Sequence, residues 1–210
     1  MGIGKTADRK RALRGVFAAA LAGAFLLAGC GGGVEKAKKR IEAQLPRGVV
    51  SAGPVRLAPM GLELSLPVQV FAQSDTAGRQ WQATSDYGNF RLALAVFPDT
   101  AHIAPPKELV LRRTRQLLST PIEPDPLESG ELARLKAVSG AFSLLQTESE
   151  TREGTVPNRM YLIEALRLRD GRTVVLSVDA RFEAFDDVEQ TLRALAGSLR
   201  ITPAVSATEG

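Results

Sequence analysis

The sequence predicts an α+β fold: an antiparallel β-sheet with a few helices packed on it. Three observations carry that prediction. Apolar residues alternate with polar or small ones at period two through Leu62, Leu64 and Leu66, and again through Phe90, Leu92, Leu94 and Val96. Strand patterns follow one another directly, without the helix that a parallel crossover needs. Asp170-Gly171 separates two apolar runs, 159–169 and 172–182, in the manner of a β-hairpin.

Residues 1–15 carry Lys5, Arg9, Lys10, Arg11 and Arg14 against a single acid, Asp8, and residues 16–29 read VFAAALAGAFLLAG. Such a run reaches about 21 Å as a helix, short of the roughly 30 Å hydrocarbon core. A basic region before a short apolar one predicts a secretory signal rather than a spanning helix. The run closes on Leu27-Ala28-Gly29-Cys30, which resembles the lipobox of bacterial lipoproteins. That resemblance implies cleavage before Cys30 and acylation of its thiol, with small Ala28 and Gly29 admitting the backbone to a peptidase. It also implies attachment to a bacterial membrane, facing the periplasm or exterior. Gly31, rather than Asp, at the second mature position favours the outer membrane where the cell has two. Gly4-Lys5-Thr6 and Met1-Gly2 imitate a P-loop tail and a myristoylation signal, but both would leave with the signal peptide.

Processing changes the charge. The chain has 27 Lys plus Arg and 23 Asp plus Glu, a formal +4. Removing five basic residues and one acid with residues 1–29 leaves 22 of each. The mature chain is neutral, so no basic excess points to nucleic acid. Cys30 is the only cysteine, which excludes an intramolecular disulfide framework.

Gly31-Gly32-Gly33 reads as a tether, and residues 34–45 have helix-forming composition. Lys36, Lys38, Lys39 and Arg40 there fit either a solvated helical spacer or contact with anionic headgroups. Residues 30–48 are thus assigned to anchor and spacer, 49–202 to one α+β domain, and 203–210 to a disordered tail. Within the domain, strands are predicted at 62–66, 68–70, 80–84 and 90–96, and a helix opening on Pro106 over 107–119. Strands at 132–138 and 141–149 flank Ser139-Gly140. The Asp170-Gly171 dipeptide favours a two-residue type I′ turn, which places 169 opposite 172 and 165 opposite 176. In that register Tyr161, Ile163, Ala165, Val174, Leu176, Val178 and Ala180 form the buried face. Asp186 and Glu189 read as a capping box for a helix over 186–198, and Ser198-Leu199-Arg200-Ile201 closes the domain.

This order resembles the PsbP-like and DcrB-like domains of bacterial and photosynthetic lumenal proteins. The likeness runs from Met60-Gly61-Leu62-Glu63-Leu64-Ser65-Leu66-Pro67 through the 159–182 hairpin to the closing Ser198-Leu199-Arg200-Ile201. It covers about residues 58–202 and implies a compact sheet with packed helices and a non-enzymatic binding or accessory role. It supplies no catalytic residues.

The residues themselves offer little chemistry. His102 is the only histidine, so one chain cannot build a multi-His metal site, and no Gly-x-Ser-x-Gly elbow accompanies it. Glu123, Asp125, Glu128 and Glu131 form a Pro-rich acidic loop without EF-hand spacing. Asp186-Asp187 suit a helix N-terminus. No metal and no cofactor is predicted. Two features invite a test. Arg167, Arg169 and Arg172 meet at the hairpin tip as a possible anion or partner patch, with 169 and 172 opposed. Leu162, Leu166, Leu168 and Val175 fall on the outer hairpin face, either beneath the 34–45 segment or as a docking patch. The expected function is that of a lipid-anchored envelope protein acting as a binding or accessory module toward an envelope protein partner. The alternative is an envelope hydrolase using Ser or carboxylate chemistry without His.

Overall fold

The computed structural model describes residues 44–75, 77–98, 102–118, 122–152 and 154–204. Cys30, the signal segment, residues 34–43 of the spacer and 205–210 of the tail lie outside them. The described chain is α+β. Eight antiparallel strands form the main sheet: β1 (Gly48–Val50), β4 (Val70–Ser74), β5 (Gln80–Thr84), β6 (Phe90–Phe97), β7 (Asp125–Pro126), β8 (Ala137–Thr151), β9 (Gly154–Leu168) and β10 (Thr173–Arg181). Their spatial order is β1-β4-β5-β6-β10-β9-β8-β7. A small sheet joins β2 (Gly53–Leu57), β3 (Leu62–Leu66) and β11 (Arg200–Ile201). Three helices complete the fold: α1 (Pro106–Leu117), α2 (Ser129–Arg134) and α3 (Val188–Ser198). Among the described residues no helix is long and apolar enough to cross a membrane.

The main sheet has two unequal faces. Its inner face gathers Val70, Ala72, Trp81, Phe90, Leu92, Leu94, Leu166, Val174 and Leu176 against Leu62, Leu64 and Leu66 of the small sheet and Leu192 and Leu195 of α3. Period-two alternation puts these residues on one side, and burying that side drives the layers together. Trp81 is fully buried, and its indole Nε1 donates to Pro46 O at 2.9 Å, tying the start of the domain to the core. On the outer face, α1 lays Val110 and Thr114 onto β8 and β9, where Ala141 and Ala165 are small enough to admit it.

Three local expectations are corrected. The hairpin register is one residue off the predicted one: Thr173 pairs with Arg167, Val174 with Leu166 and Val175 with Ala165. Leu168 N donates to Arg172 O at 2.8 Å, so the loop has three residues, with Gly171 in the left-handed region at φ +87°. This is a type I turn closed by a bulge rather than a type I′ turn. A one-residue slip exchanges the faces. Tyr161, Ile163 and Ala165 therefore lie under α1, while Leu162, Leu166 and Leu168 join Val174, Leu176 and Val178 in the main core. Second, of the strand predicted at 132–138 only residues 137–138 are strand, as the start of β8. α2 occupies 129–134, Leu135 packs fully buried beneath it, and β8 runs straight through Gly140. Third, the residue that caps α3 is Asp187, whose Oδ1 accepts from Gln190 N at 2.8 Å, one position later than the predicted Asp186–Glu189 box.

Gly61 closes the small sheet onto the C-terminal strand. It sits at φ +63°, its carbonyl accepts from Thr202 N at 2.9 Å, and a Cβ there would meet Thr202 O at 2.6 Å. Both the backbone conformation and the space demand glycine. Gly61→Ala is expected to destabilise the domain by about 2 kcal/mol, read as a lower denaturant midpoint at unchanged slope.

Candidate functional site

The outer face is covered only in part. Helix α1 sits over β8 and β9, and the strands beyond it leave a groove of about 440 Å³. Its floor follows from strand parity: Gln73 on β4, Gln82 and Thr84 on β5, Ala93 on β6 and Ser177 on β10 all point away from the core. Phe71, 51% exposed, stands at the β4 end, directly opposite exposed Val49 on β1. Leu117 and Arg113 of α1 form one wall.

One end of the groove is charged. Asp179 on β10 lies directly opposite Arg91 on β6 and diagonal to Arg159 on β9. Diagonal neighbours on one sheet face are within reach of a long side chain. Arg159 Nε donates to Asp179 Oδ2 at 2.5 Å, and Arg159 Nη2 donates to Gly88 O at 2.8 Å. Both partners of this ion pair are largely buried. Burial pushes the Asp179 carboxyl above its ordinary value, while Arg159, and more distantly Arg91 and Arg113, pull it down. With three guanidiniums around one carboxylate, this end of the groove carries a positive excess.

The turn between β5 and β6 closes the same end, because Gly88 O and Asn89 O both accept from Arg159. On that turn Tyr87 is 95% exposed and holds φ +57°, a conformation that an aromatic L-residue adopts rarely. Strain at an exposed aromatic beside a groove is a feature of recognition surfaces.

The residues singled out from the sequence lie elsewhere. The three hairpin arginines do not form a patch. Arg172 chelates Asp170 at 2.7 and 2.9 Å and donates to Met60 O at 2.6 Å, fastening the tip to the small sheet. Arg167 projects from the opposite face, where its Nη2 donates to Ile103 O at 3.0 Å. Arg169 is exposed at the tip, and the register places it in the loop rather than opposite Arg172. Leu162, Leu166 and Leu168 are core residues, and Val175 packs beside α1, so no docking patch exists at these four positions. His102 is exposed. Of the acidic loop, Glu123 pairs with Lys107, Asp125 belongs to β7, and Glu131 faces the buried carboxyl of Glu164.

Arg91, Tyr87, Arg159 and Asp179 were not predicted as a site. Alternation over 173–181 puts Asp179 on a strand face, but its neighbours depend on strand order and register, which are long-range properties. No family model matches this chain, and no curated protein matches it. It is similar to a set of solved structures. A Mog1 point mutant shares 12% identity at TM-score 0.42, over 73% of this chain and 97% of that one. The Ran-binding protein Mog1p of Saccharomyces cerevisiae shares 12% at 0.40, over 76% and 97%. LpqN, involved in cell envelope biogenesis of Mycobacterium tuberculosis, shares 13% at 0.33, over 80% and 96%. No residue role transfers from these likenesses.

Proposed function

We propose that this chain is a bacterial lipoprotein whose PsbP-like or DcrB-like domain stands in the cell envelope as a non-enzymatic binding or accessory module. Cys30 is its anchor, with the outer membrane favoured where the cell has two. The half-covered outer sheet face is its docking surface. The observation that carries this reading is the groove itself: an open sheet face with exposed Phe71 at its β4 edge, exposed Tyr87 on the adjoining β5–β6 turn and a positive excess where Arg91, Arg113 and Arg159 surround Asp179. Charge complementarity selects the occupant, a segment of an envelope protein with acidic side chains at the Arg91–Arg113 end. Asp179, the one carboxylate that lines the groove among the described residues, is held by Arg159 and is poorly placed to act as a general base, which supports binding over hydrolysis.

Two arms of one experiment test this. Cys30→Ser is expected to abolish acyl-chain labelling and leave unprocessed precursor, and labelling that persists overturns the anchor. Site-specific cross-linking from Gln82 in living cells is expected to trap one envelope protein. Arg91→Glu with Arg113→Glu should reduce that adduct about tenfold or more, while Arg169→Glu, at the distant hairpin tip, should not. Adducts indifferent to the groove charges overturn the docking surface.

A further inference from the structure

A second cavity, about 210 Å³, lies between α2, α3 and the inner face of the main sheet. Leu127, Phe142 and Leu162 give it apolar walls, and Glu164 of β9 lines its base. Glu164 is 5% exposed, and no hydrogen bond or ion pair reaches its carboxyl among the described residues. Its cross-strand neighbours are Phe142 on β8 and Leu176 on β10, so neither flanking strand supplies a cation. The charged groups that face the cavity are Glu131 and Arg134 from α2 and Arg193 from α3. Both arginines are engaged elsewhere. Arg134 Nη1 donates to Gly197 O at 3.0 Å and Leu199 O at 2.9 Å, and Arg193 Nε donates to Glu189 at 2.8 Å. The C-terminal carbonyl end of α3, at Ala196 and Gly197, adds the negative pole of a helix dipole.

A buried carboxyl without a partner is a costly feature, and this one opens onto a space with room for the missing partner. Burial first, then Glu131, raise its pKa to about 7 against the pull of Arg134. Arg134 and Arg193 border the cavity, but neither donates a hydrogen bond to the Glu164 carboxyl. It is smaller than the roughly 300 Å³ at which pockets enclose a drug-sized ligand, so a single slender chain suits it. Two carboxylates without a third His, Cys, Asp or Glu among the described residues make a poor metal site.

We propose that this cavity binds a primary ammonium on an aliphatic chain, with Glu164 and Glu131 taking the charge and Leu127, Phe142 and Leu162 taking the chain. The Phe142 ring adds a face on which an ammonium can rest. The ammonium reaches the site either as a free alkylamine or as the lysine side chain of a partner. The cavity is separate from the outer-face groove, so each reading stands or falls without the other.

The test uses the full-length chain in detergent, titrated calorimetrically with n-butylammonium and with an acetylated, amidated Gly-Lys-Gly peptide. Because the cation requires Glu164 ionised, binding is expected to be about tenfold tighter at pH 8 than at pH 6, with proton release at the lower pH. Butylammonium binding as tightly as the peptide assigns free amines, and tighter peptide binding assigns a partner's lysine. Glu164→Gln, checked for a native unfolding transition, is expected to weaken binding at least tenfold and to remove its pH dependence. Failure of both probes to bind, or equal affinity in Glu164→Gln, overturns the proposal.

Discussion

Arg159→Met is expected to destabilise the domain by about 3–5 kcal/mol at pH 8, the range found when one partner of a buried ion pair is removed. The size follows from what remains. Asp179 would keep its buried place on β10 with only the exposed Arg91 and Arg113 nearby, and Gly88 O would lose its donor, while Asn89 O would keep Arg181 N. The Asp179 carboxyl is already raised by burial with Arg159 present. Without it, the folded state would take up a proton to relieve the charge. A folded pKa raised above its unfolded value contributes stability that is lost as pH rises through the folded pKa. The penalty of Arg159→Met should therefore shrink as pH falls and grow as pH rises. Adding Asp179→Asn should recover much of the loss at pH 8, because the uncompensated charge disappears. Denaturant midpoints of the single and double variants between pH 5 and 8 check this, and a pH-independent penalty would show that lost packing, not charge, sets the cost.

The same pair marks the limit of what the sequence discloses. Alternation over 62–66 and 80–84 was enough to give β3 and β5 to the residue, because each strand has one buried and one solvated side. β9 defeats that reasoning. Leu162, Leu166 and Leu168 face one core while Ile163 and Ala165 face another, so both parities are apolar and periodicity cannot choose between them. The turn dipeptide then appeared decisive, but Asp170-Gly171 also fits a type I turn with its left-handed glycine one place later. The inward leucines settle the register, and that information lies in strands distant in sequence. The misplaced docking patch followed from this single slip. Likewise, residues 132–134 of α2 fall within the strand predicted at 132–138 because Leu132 and Leu135 stand in a run too short to reveal its period, whereas their three-residue spacing suits a helical turn. Glu164 was visible as an acid among apolar residues. Only the register reveals that it faces inward.

That inward acid carries the other large expectation. At pH 8, wild-type protein is expected to be roughly 2–3 kcal/mol less stable relative to Glu164→Gln than it is at pH 5. Below the ordinary carboxyl value near 4.5, Glu164 is protonated whether the chain is folded or not, and its ionisation costs nothing. Between that value and about 7 the unfolded chain releases the proton while the folded chain retains it, since burial and Glu131 oppose the charge. The unfolded state then binds fewer protons, so stability falls as pH rises, at up to about 1.4 kcal/mol per pH unit. Above about 7 both states are ionised and the loss is complete. Glu164→Gln keeps the shape but has no proton to lose, so its stability should lack this slope. Denaturant unfolding of both proteins at half-unit steps from pH 5 to 8 measures the difference, and parallel curves would mean that Glu164 is solvated or paired in the folded state. Saturating n-butylammonium supplies a further check at pH 8. If the cavity accepts the ammonium, it should raise the wild-type midpoint and leave that of Glu164→Gln in place, because a ligand stabilises only the state that binds it.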